Sequence, residues 1–259
     1  MRVEPLTPTA PPLPSGPVLM SQRWEDLAFL HWAVDPDRVT PLLPRGTRPD
    51  TIDGATYVGL VPFRMVGAGP GLGHAVPWWG TFLEINVRLY SVDATGRRGV
   101  VFLSLDSDRL AVVLGARAAF ATPYRWARMR HRVAGTAEAP VHTWQIRLRT
   151  LPGRSGARST LRLQVGARRE ATDLDHFLTD RWGLHTTVLG RLRYIPNRHE
   201  PWPLHDADVL ALDDGLVASV GLPDVADRPP DVVAFSPGVQ TDFGLPVPGE
   251  RPREVSGAC

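Results

Sequence analysis

The run Thr81–Ser91, TFLEINVRLYS, decides the fold class. One parity is wholly aliphatic: Leu83, Ile85, Val87 and Leu89. The other carries Phe82, Glu84, Asn86, Arg88 and Tyr90. Side chains alternate across a strand, so the first set faces an apolar core and the second lines the opposite face. A solvated face seldom brackets Glu, Asn and Arg between two aromatics. That face is either the wall of a polar cavity or an exposed surface with a cross-strand ion pair.

The same alternation predicts strands over Ala55–Val66, Gly99–Asp106, His142–Thr150 and Ser159–Arg168. In the third, Trp144, Ile146 and Leu148 oppose Gln145, Arg147 and Arg149. In the fourth, Leu161, Leu163 and Val165 oppose Arg162 and Gln164. The Gly- and Ser-rich loop LPGRSGARS (151–159) joins these two as a long hairpin. Helices are fewer. Asp35 caps a helix that starts at Pro36 and stops before Pro44. Leu110–Ala121 is alanine-rich and ends near Pro123. Thr172–Trp182 has Thr172 and Asp175 as a capping box, a Leu174, Phe177, Leu178 stripe and Gly183 as terminator. Many strands with a few short helices make an α+β chain, mainly β.

Composition narrows the chemistry. The 259 residues carry 29 basic and 27 acidic side chains, a formal charge of +2. Every basic residue is an arginine. With no lysine, neither a Schiff-base amine nor a phosphate-loop lysine exists. The charge balance argues against a nucleic-acid-coating protein. The single cysteine, Cys259, excludes an intrachain disulfide and a Cys-rich zinc site. No stretch approaches the roughly 18 apolar residues of a membrane span, and Met1–Val18 lacks the apolar core of a signal peptide. A soluble, cytoplasmic protein is expected. Residues 1–20 read as a flexible Pro-rich tail, extended and mobile over 4–17, with Met20 as an alternative start. Residues 21–222 form a single domain. Residues 223–259 are Pro-rich, with Asp231–Leu245 able to pack and the last ten loose.

Three other features carry less. His199, Glu200, His205 and Asp206 cluster in RHEPWPLHD, but prolines interrupt them and no helical HExxH spacing results, so a surface loop is expected and no metal. Arg125, Arg128, Arg130, His131 and Arg132, interleaved with Trp126 and Met129, read as a solvated basic face. Gly67–Gly73, GAGPGLG, precedes no helix, so it is a mobile loop at a cavity edge and not a dinucleotide loop.

Seven ordered stretches carry a resemblance: WEDLAFLHW (24–32), YVGLVPFRM (57–65), FLEINVRLY (82–90), GVVFLSLD (99–106), ARAAFATPYRWARM (116–129), GRLRY (190–194) and PWPL (201–204). Together they resemble the YqjF-like DUF2071 family, within the acetoacetate decarboxylase-like superfamily. The resemblance implies a cone-like, closed antiparallel β-barrel around a small-molecule cavity, with a few short peripheral helices. In the decarboxylases a Gly-Phe-Pro-Lys-Lys segment supplies the reactive lysine and its neighbour. Here Thr122, Pro123, Tyr124 and Arg125 take the place of the Pro-Lys-Lys part. Tyr124 falls at the reactive lysine, Arg125 at its neighbour, and Glu84 on the strand that resembles the one bearing the decarboxylase glutamate. A phenol cannot form an imine, so Schiff-base decarboxylation is unavailable.

The candidate catalytic residues are therefore Glu84, Tyr124 and Arg125. Arg88, Asn86, Phe82, Tyr90 and His31 are the candidate substrate-binding residues; His31, between Leu30 and Trp32, is a core histidine unless it reaches the cavity. No cofactor, metal, nucleic acid or membrane partner is expected, and the resemblance leaves a homo-oligomer open. Such a set suits proton transfer beside a carbonyl: dehydration, aldol bond making or cyclisation of a small keto or carboxylate compound, as in secondary metabolism. The alternatives are a non-catalytic small-molecule binder using the same cavity, and a structural protein whose cavity is filled by Phe82, Tyr90 and Trp side chains.

Overall fold

A computed structural model of the chain describes residues 3–7, 9–13, 16–72, 76, 80–114, 122–149 and 156–249. The strands are β1 (Met20–Val34), β2 (Thr47–Pro49), β3 (Thr56–Pro70), β4 (Phe82–Asp93), β5 (Arg98–Ser107), β6 (Tyr124–Gly135), β7 (Pro140–Leu148), β8 (Arg158–Arg168), β9 (Gly183–Val188), β10 (Arg191–His199), β11 (His205–Asp214), β12 (Val232–Phe243) and β13 (Val247–Pro248). Nine of them, in the order β5-β6-β7-β8-β11-β12-β1-β3-β4, close into a barrel where β4 pairs with β5. A second circuit shares the β12-β1-β3-β4-β5 wall and returns through β9 and β10, closing where β10 pairs with β12. Pairing is antiparallel except where β5 runs beside β6 and β9.

The alternation in β4 explains this shared wall. Ile85, Val87 and Leu89 join Leu30, Trp32, Leu60, Trp144, Leu161 and Leu163 in the core of the nine-stranded barrel. Residues of the other parity face the second circuit, where Phe82 packs with Leu27, Phe29, Val61 and Phe63. A strand buried on both faces has no solvated side, and Glu84 and Asn86 are only 3% and 4% exposed. The reading as an exposed ion-pair face is thereby replaced by the cavity reading.

Two short α-helices lie wholly within the described residues, outside the sheet. In α1 (Pro36–Val39) Asp35 caps the amide of Asp37, and a 3₁₀ turn over Thr40–Leu42 continues it. In α2 (Asp173–Thr179) the capping box is complete: Thr172 Oγ1 accepts from the Asp175 amide, and Asp175 accepts from the Thr172 amide. Phe177 and Leu178 are fully buried, worth roughly 1.5–3 kcal/mol each. This helix is shorter than Thr172–Trp182. The chain leaves it at Asp180, because the Arg181 guanidinium binds the Phe177 carbonyl and the Asp50 carboxylate, and Gly183 opens β9 instead of ending the helix.

Several other expectations change. Gly67–Pro70 is not a loop but the end of β3, paired with Met20 and Ser21 of β1, with Gly67 in the left-handed region at φ +65°. The basic run from Arg125 to Arg132 is strand β6: Arg128, Arg130 and Arg132 are exposed, as a solvated basic face requires, while Ala127 and Met129 between them are buried. Residues 232–243, inside the Asp231–Leu245 segment expected to be able to pack, form a full strand between β1, β10 and β11. Within the Pro-rich tail, the Glu4 amide donates to the Gly96 carbonyl and the Thr7 carbonyl accepts from Trp182 Nε1, so the extended segment is tied to the barrel at those points. Helix is described over 110–114; residues 115–121 of that expected helix, Gly73, the hairpin loop at 150–155 and the last ten residues lie outside the described residues. Among the described residues, no helix is long and apolar enough to cross a membrane.

Candidate functional site

The second circuit encloses a cavity of about 560 Å³. Its walls come from β1, β3, β4, β5, β9, β10 and β12, with the start of β6 and the end of α2. Phe82, Glu84, Asn86 and Arg88 all line it, as the period of β4 requires, and Tyr124 joins them from the first position of β6. Along a strand those three polar positions stand roughly 6.6 Å apart in succession, so the site has two chemically different ends.

At one end the Tyr124 hydroxyl donates to Glu84 Oε2 at 2.8 Å. Burial in the cavity wall pushes the Glu84 carboxyl up to about 8, against the opposing effect of the Tyr124 hydrogen bond. Burial and the adjacent Glu84 likewise raise the Tyr124 hydroxyl well above its ordinary value. Both groups therefore carry protons at neutral pH, and Glu84 is the one poised to exchange its proton near that range. Most of the remaining lining here is apolar, from Val61, Phe63, Leu105, Ala111 and Val112, with Thr122 beside Tyr124.

At the other end stands a guanidinium excess. Arg88 donates from Nε to the Tyr90 hydroxyl at 3.1 Å and from Nη2 to the Leu178 carbonyl at 3.3 Å. Its planar head lies 5.4 Å from the Phe29 ring centroid and 5.6 Å from that of Tyr90. Among the described residues these neighbours are all neutral, and Arg88 enters no ion pair. Arg181, 3% exposed, also lines the cavity, and with Arg98 it shares the single carboxylate of Asp50, at 2.5 and 2.7 Å. Burial lowers the Arg181 guanidinium. Three arginines thus face one acid. Between the two ends, Asn86 has a buried Oδ1 with no hydrogen-bond partner among the described residues, and so has Asn197, another lining residue from β10.

Not every expected site residue reaches the cavity. Tyr90 and His31 are fully buried behind Arg88: His31 Nε2 and the Tyr90 hydroxyl lie 2.7 Å apart, and that hydroxyl also accepts from Arg88. Burial, reinforced by the Arg88 charge, holds His31 well below the usual histidine range, so it serves as a neutral prop. Gly59 makes this row possible. It pairs with His31 on one side and Arg88 on the other, and a Cβ there would sit 3.0 Å from His31 Nε2 and 3.1 Å from Arg88 Cγ.

Arg125 points away. Its guanidinium grips Asp106 at 2.5 and 2.7 Å and reaches Ser104 and Ser219 on the opposite face of the wall. The placement follows from parity, since neighbouring residues of a strand face opposite sides and Tyr124 occupies the cavity side. His199, expected on a surface loop, is 8% exposed and lines the cavity at the end of β10, its ring against Trp182 and Trp202. Burial lowers it to about 4. Arg181, Asn197 and His199 were not readable as site residues, because Arg181 lies between α2 and β9 and the other two in a strand interrupted by Pro196.

Comparisons with known proteins agree with this fold. Residues 21–240 match DUF2071, an uncharacterized conserved protein family. The uncharacterized protein YqjF of Bacillus subtilis is 32% identical over 197 residues, covering 76% of this chain and 79% of YqjF. Among solved structures, an acetoacetate decarboxylase-like enzyme from Sphingomonas wittichii RW1 superposes with a TM-score of 0.60 at 15% identity, covering 90% of this chain and 93% of that one. The enduracididine biosynthesis enzyme MppR complexed with pyruvate gives 0.58 at 15% identity, over 90% and 91% of the two chains. At these identities the likeness is one of fold: the acetoacetate decarboxylase-like barrel.

Proposed function

This chain belongs to the DUF2071 family, and we propose that it is a cofactor-independent enzyme using acid–base chemistry on a small keto acid held in the barrel cavity. The observation that carries the reading is the buried Tyr124–Glu84 hydrogen bond, set across the cavity from an arginine that forms no ion pair among the described residues. Arg88 takes the carboxylate by charge-assisted hydrogen bonds. Asn86 accepts an N–H or O–H of the ligand. Tyr124 turns its proton to the ligand carbonyl and stabilises the oxygen as charge develops on it. Glu84, about one-tenth ionised at pH 7 given a value near 8, removes a proton from the carbon beside that carbonyl and returns it to the product. Enolisation of this kind is the shared first step of dehydration, aldol addition and cyclisation. The fold's neighbour MppR, complexed with pyruvate, supports a keto acid as first probe.

The test is proton exchange. Pyruvate and a panel of larger 2- and 3-keto acids are incubated with the protein in D₂O, and loss of the signal beside the carbonyl is followed by NMR. Exchange should rise with pH through a midpoint near 8 and fall about 100-fold or more in Glu84→Gln and Tyr124→Phe. Exchange that persists in both variants overturns the assignment. The second reading, a non-catalytic binder, rests on the same Arg88: binding of the keto acids that Arg88→Ala abolishes, with no exchange in the unaltered protein, would establish it.

A further inference from the structure

A second group of titratable side chains lies across the β1–β3–β4 wall from the cavity, at the rim of the nine-stranded barrel. His131 of β6 and His142 of β7 face each other diagonally, beside the pair Val133–His142 and the pair His131–Trp144. Here β6 leaves the core: Met129 is buried, whereas Val133 is 55% exposed. Asp26 reaches the same point from β1. The register of β1 with β3 shifts between Glu25 and Leu30, and within that irregularity Asp26 adopts φ +53°, a conformation uncommon for a residue with a side chain.

We propose that Asp26, His131 and His142 form a binding site for a divalent transition-metal ion. One ring nitrogen of each histidine and a carboxylate oxygen of Asp26 all lie within 4.8 Å of one another. An ion at the centre of a triangle of that size is about 2.8 Å from each corner, so each ligand atom needs to move less than ~1 Å to reach a bond of ~2.1 Å. The two imidazoles are closer still, with His131 Nε2 and His142 Nδ1 3.0 Å apart. Two nitrogens each ~2.1 Å from one ion at a right angle are separated by about that distance. Two imidazoles and a carboxylate are the ligand set of borderline divalent ions, and three protein ligands leave positions open to water.

Arg64 places a positive charge near His131. The Arg64 charge that opposes a cation is itself met by Glu25 at 3.7 Å. Trp144 stacks on His131 with ring centroids 4.7 Å apart, and Phe235 braces His142 at 4.6 Å, so both rings are held. None of the three ligands borders the cavity. The ion would tie the β1 bulge to the β6–β7 hairpin, independently of the chemistry proposed above.

Trp144 provides the readout. The tag-free full chain, stripped with chelator and dialysed, is titrated with CoCl₂ while metal content, cobalt absorption and tryptophan fluorescence are followed. One equivalent should bind with quenching, and affinity should fall by roughly 100-fold in Asp26→Asn and in His131→Ala. Both positions are partly exposed, and circular dichroism confirms that each variant folds. Trp144→Phe should keep the stoichiometry and lose most of the quenching. Absence of binding at millimolar cobalt overturns the proposal, as does binding that persists unchanged in the Asp26→Asn, His131→Ala double variant or quenching that survives Trp144→Phe.

Discussion

Gly59 shows how one missing side chain positions an anion anchor. His31, Gly59 and Arg88 form a row across β1, β3 and β4, and both larger side chains lean over the glycine within 3.1 Å of where a Cβ would be. In that position Arg88 keeps its bond to Tyr90 and its head at the cavity. Alanine at 59 must displace an imidazole held at 2.7 Å to Tyr90 or the stem of Arg88, and overpacking of this kind costs about 1–3 kcal/mol. Gly59→Ala is therefore expected to lower affinity for a small carboxylate about tenfold, while a neutral ligand of the same shape binds nearly as before. Isothermal titration of the matched pair measures this; equal losses for both ligands would mean that the row does not set Arg88. The polar residues of the β4 cavity face were legible in the sequence because a strand's period leaves no choice of face. That Arg88 forms no ion pair among the described residues was not, since it depends on which arginines the distant Asp50 captures.

The same distinction operates on whole strands. Long alternating runs such as β3, β4, β7 and β8 were legible to within a few residues. Strand β6 was masked by its own outward arginines: Arg128 and Arg130 alternate with buried Ala127 and Met129, so a charge count reads as surface what the period reads as strand. Strand β12 was hidden by Ser236, Pro237 and Gly238, turn formers that here stay in register with β1, Ser236 opposite Leu27 and Gly238 opposite Glu25. The parallel junction of β5 and β6 could not be foreseen, because its clasp is Arg125 on Asp106. Asp106 is fully buried, and burial raises its carboxyl even with Arg125 attached. Removing the arginine leaves an acid that must take up a proton. Since the guanidinium is about a quarter exposed, at 24%, the loss is placed below that of a fully buried pair, at about 2 kcal/mol. Urea unfolding of Arg125→Leu should show this loss, and it should shrink as pH falls and Asp106 protonates in both states. A variant as stable as the parent would mean that the β5–β6 ladder alone holds the junction.

For the molecule as a whole, two fused circuits bury ionisable groups on both sides of one wall, and those groups set how stability responds to pH. Glu84 sits near 8 in the fold against 4.5 in an unfolded chain. Between those values the folded state holds a proton that the unfolded state has lost, so its contribution is fully present below about 4.5 and declines as pH rises to about 8. His131 and His199 act in the opposite sense. Both lie near 4 in the fold against 6.5 when unfolded, so their contribution is complete above 6.5 and is lost as pH falls toward 4. From 4.5 to 6.5 two histidines oppose one carboxyl, and stability rises with pH; from 6.5 to 8 only Glu84 titrates among the three, and it falls. These three groups together place a maximum near pH 6.5, with a decline of about 2 kcal/mol by pH 8 from Glu84. Chemical unfolding measured at half-unit intervals should reveal this asymmetric peak. Glu84→Gln, which retains the shape of the carboxyl without its proton, should flatten the alkaline limb, while His199→Phe should make the acid limb shallower. If the alkaline decline survives in Glu84→Gln, the carboxyl does not hold its proton at neutral pH, and the acid–base role assigned to it in the cavity falls with it.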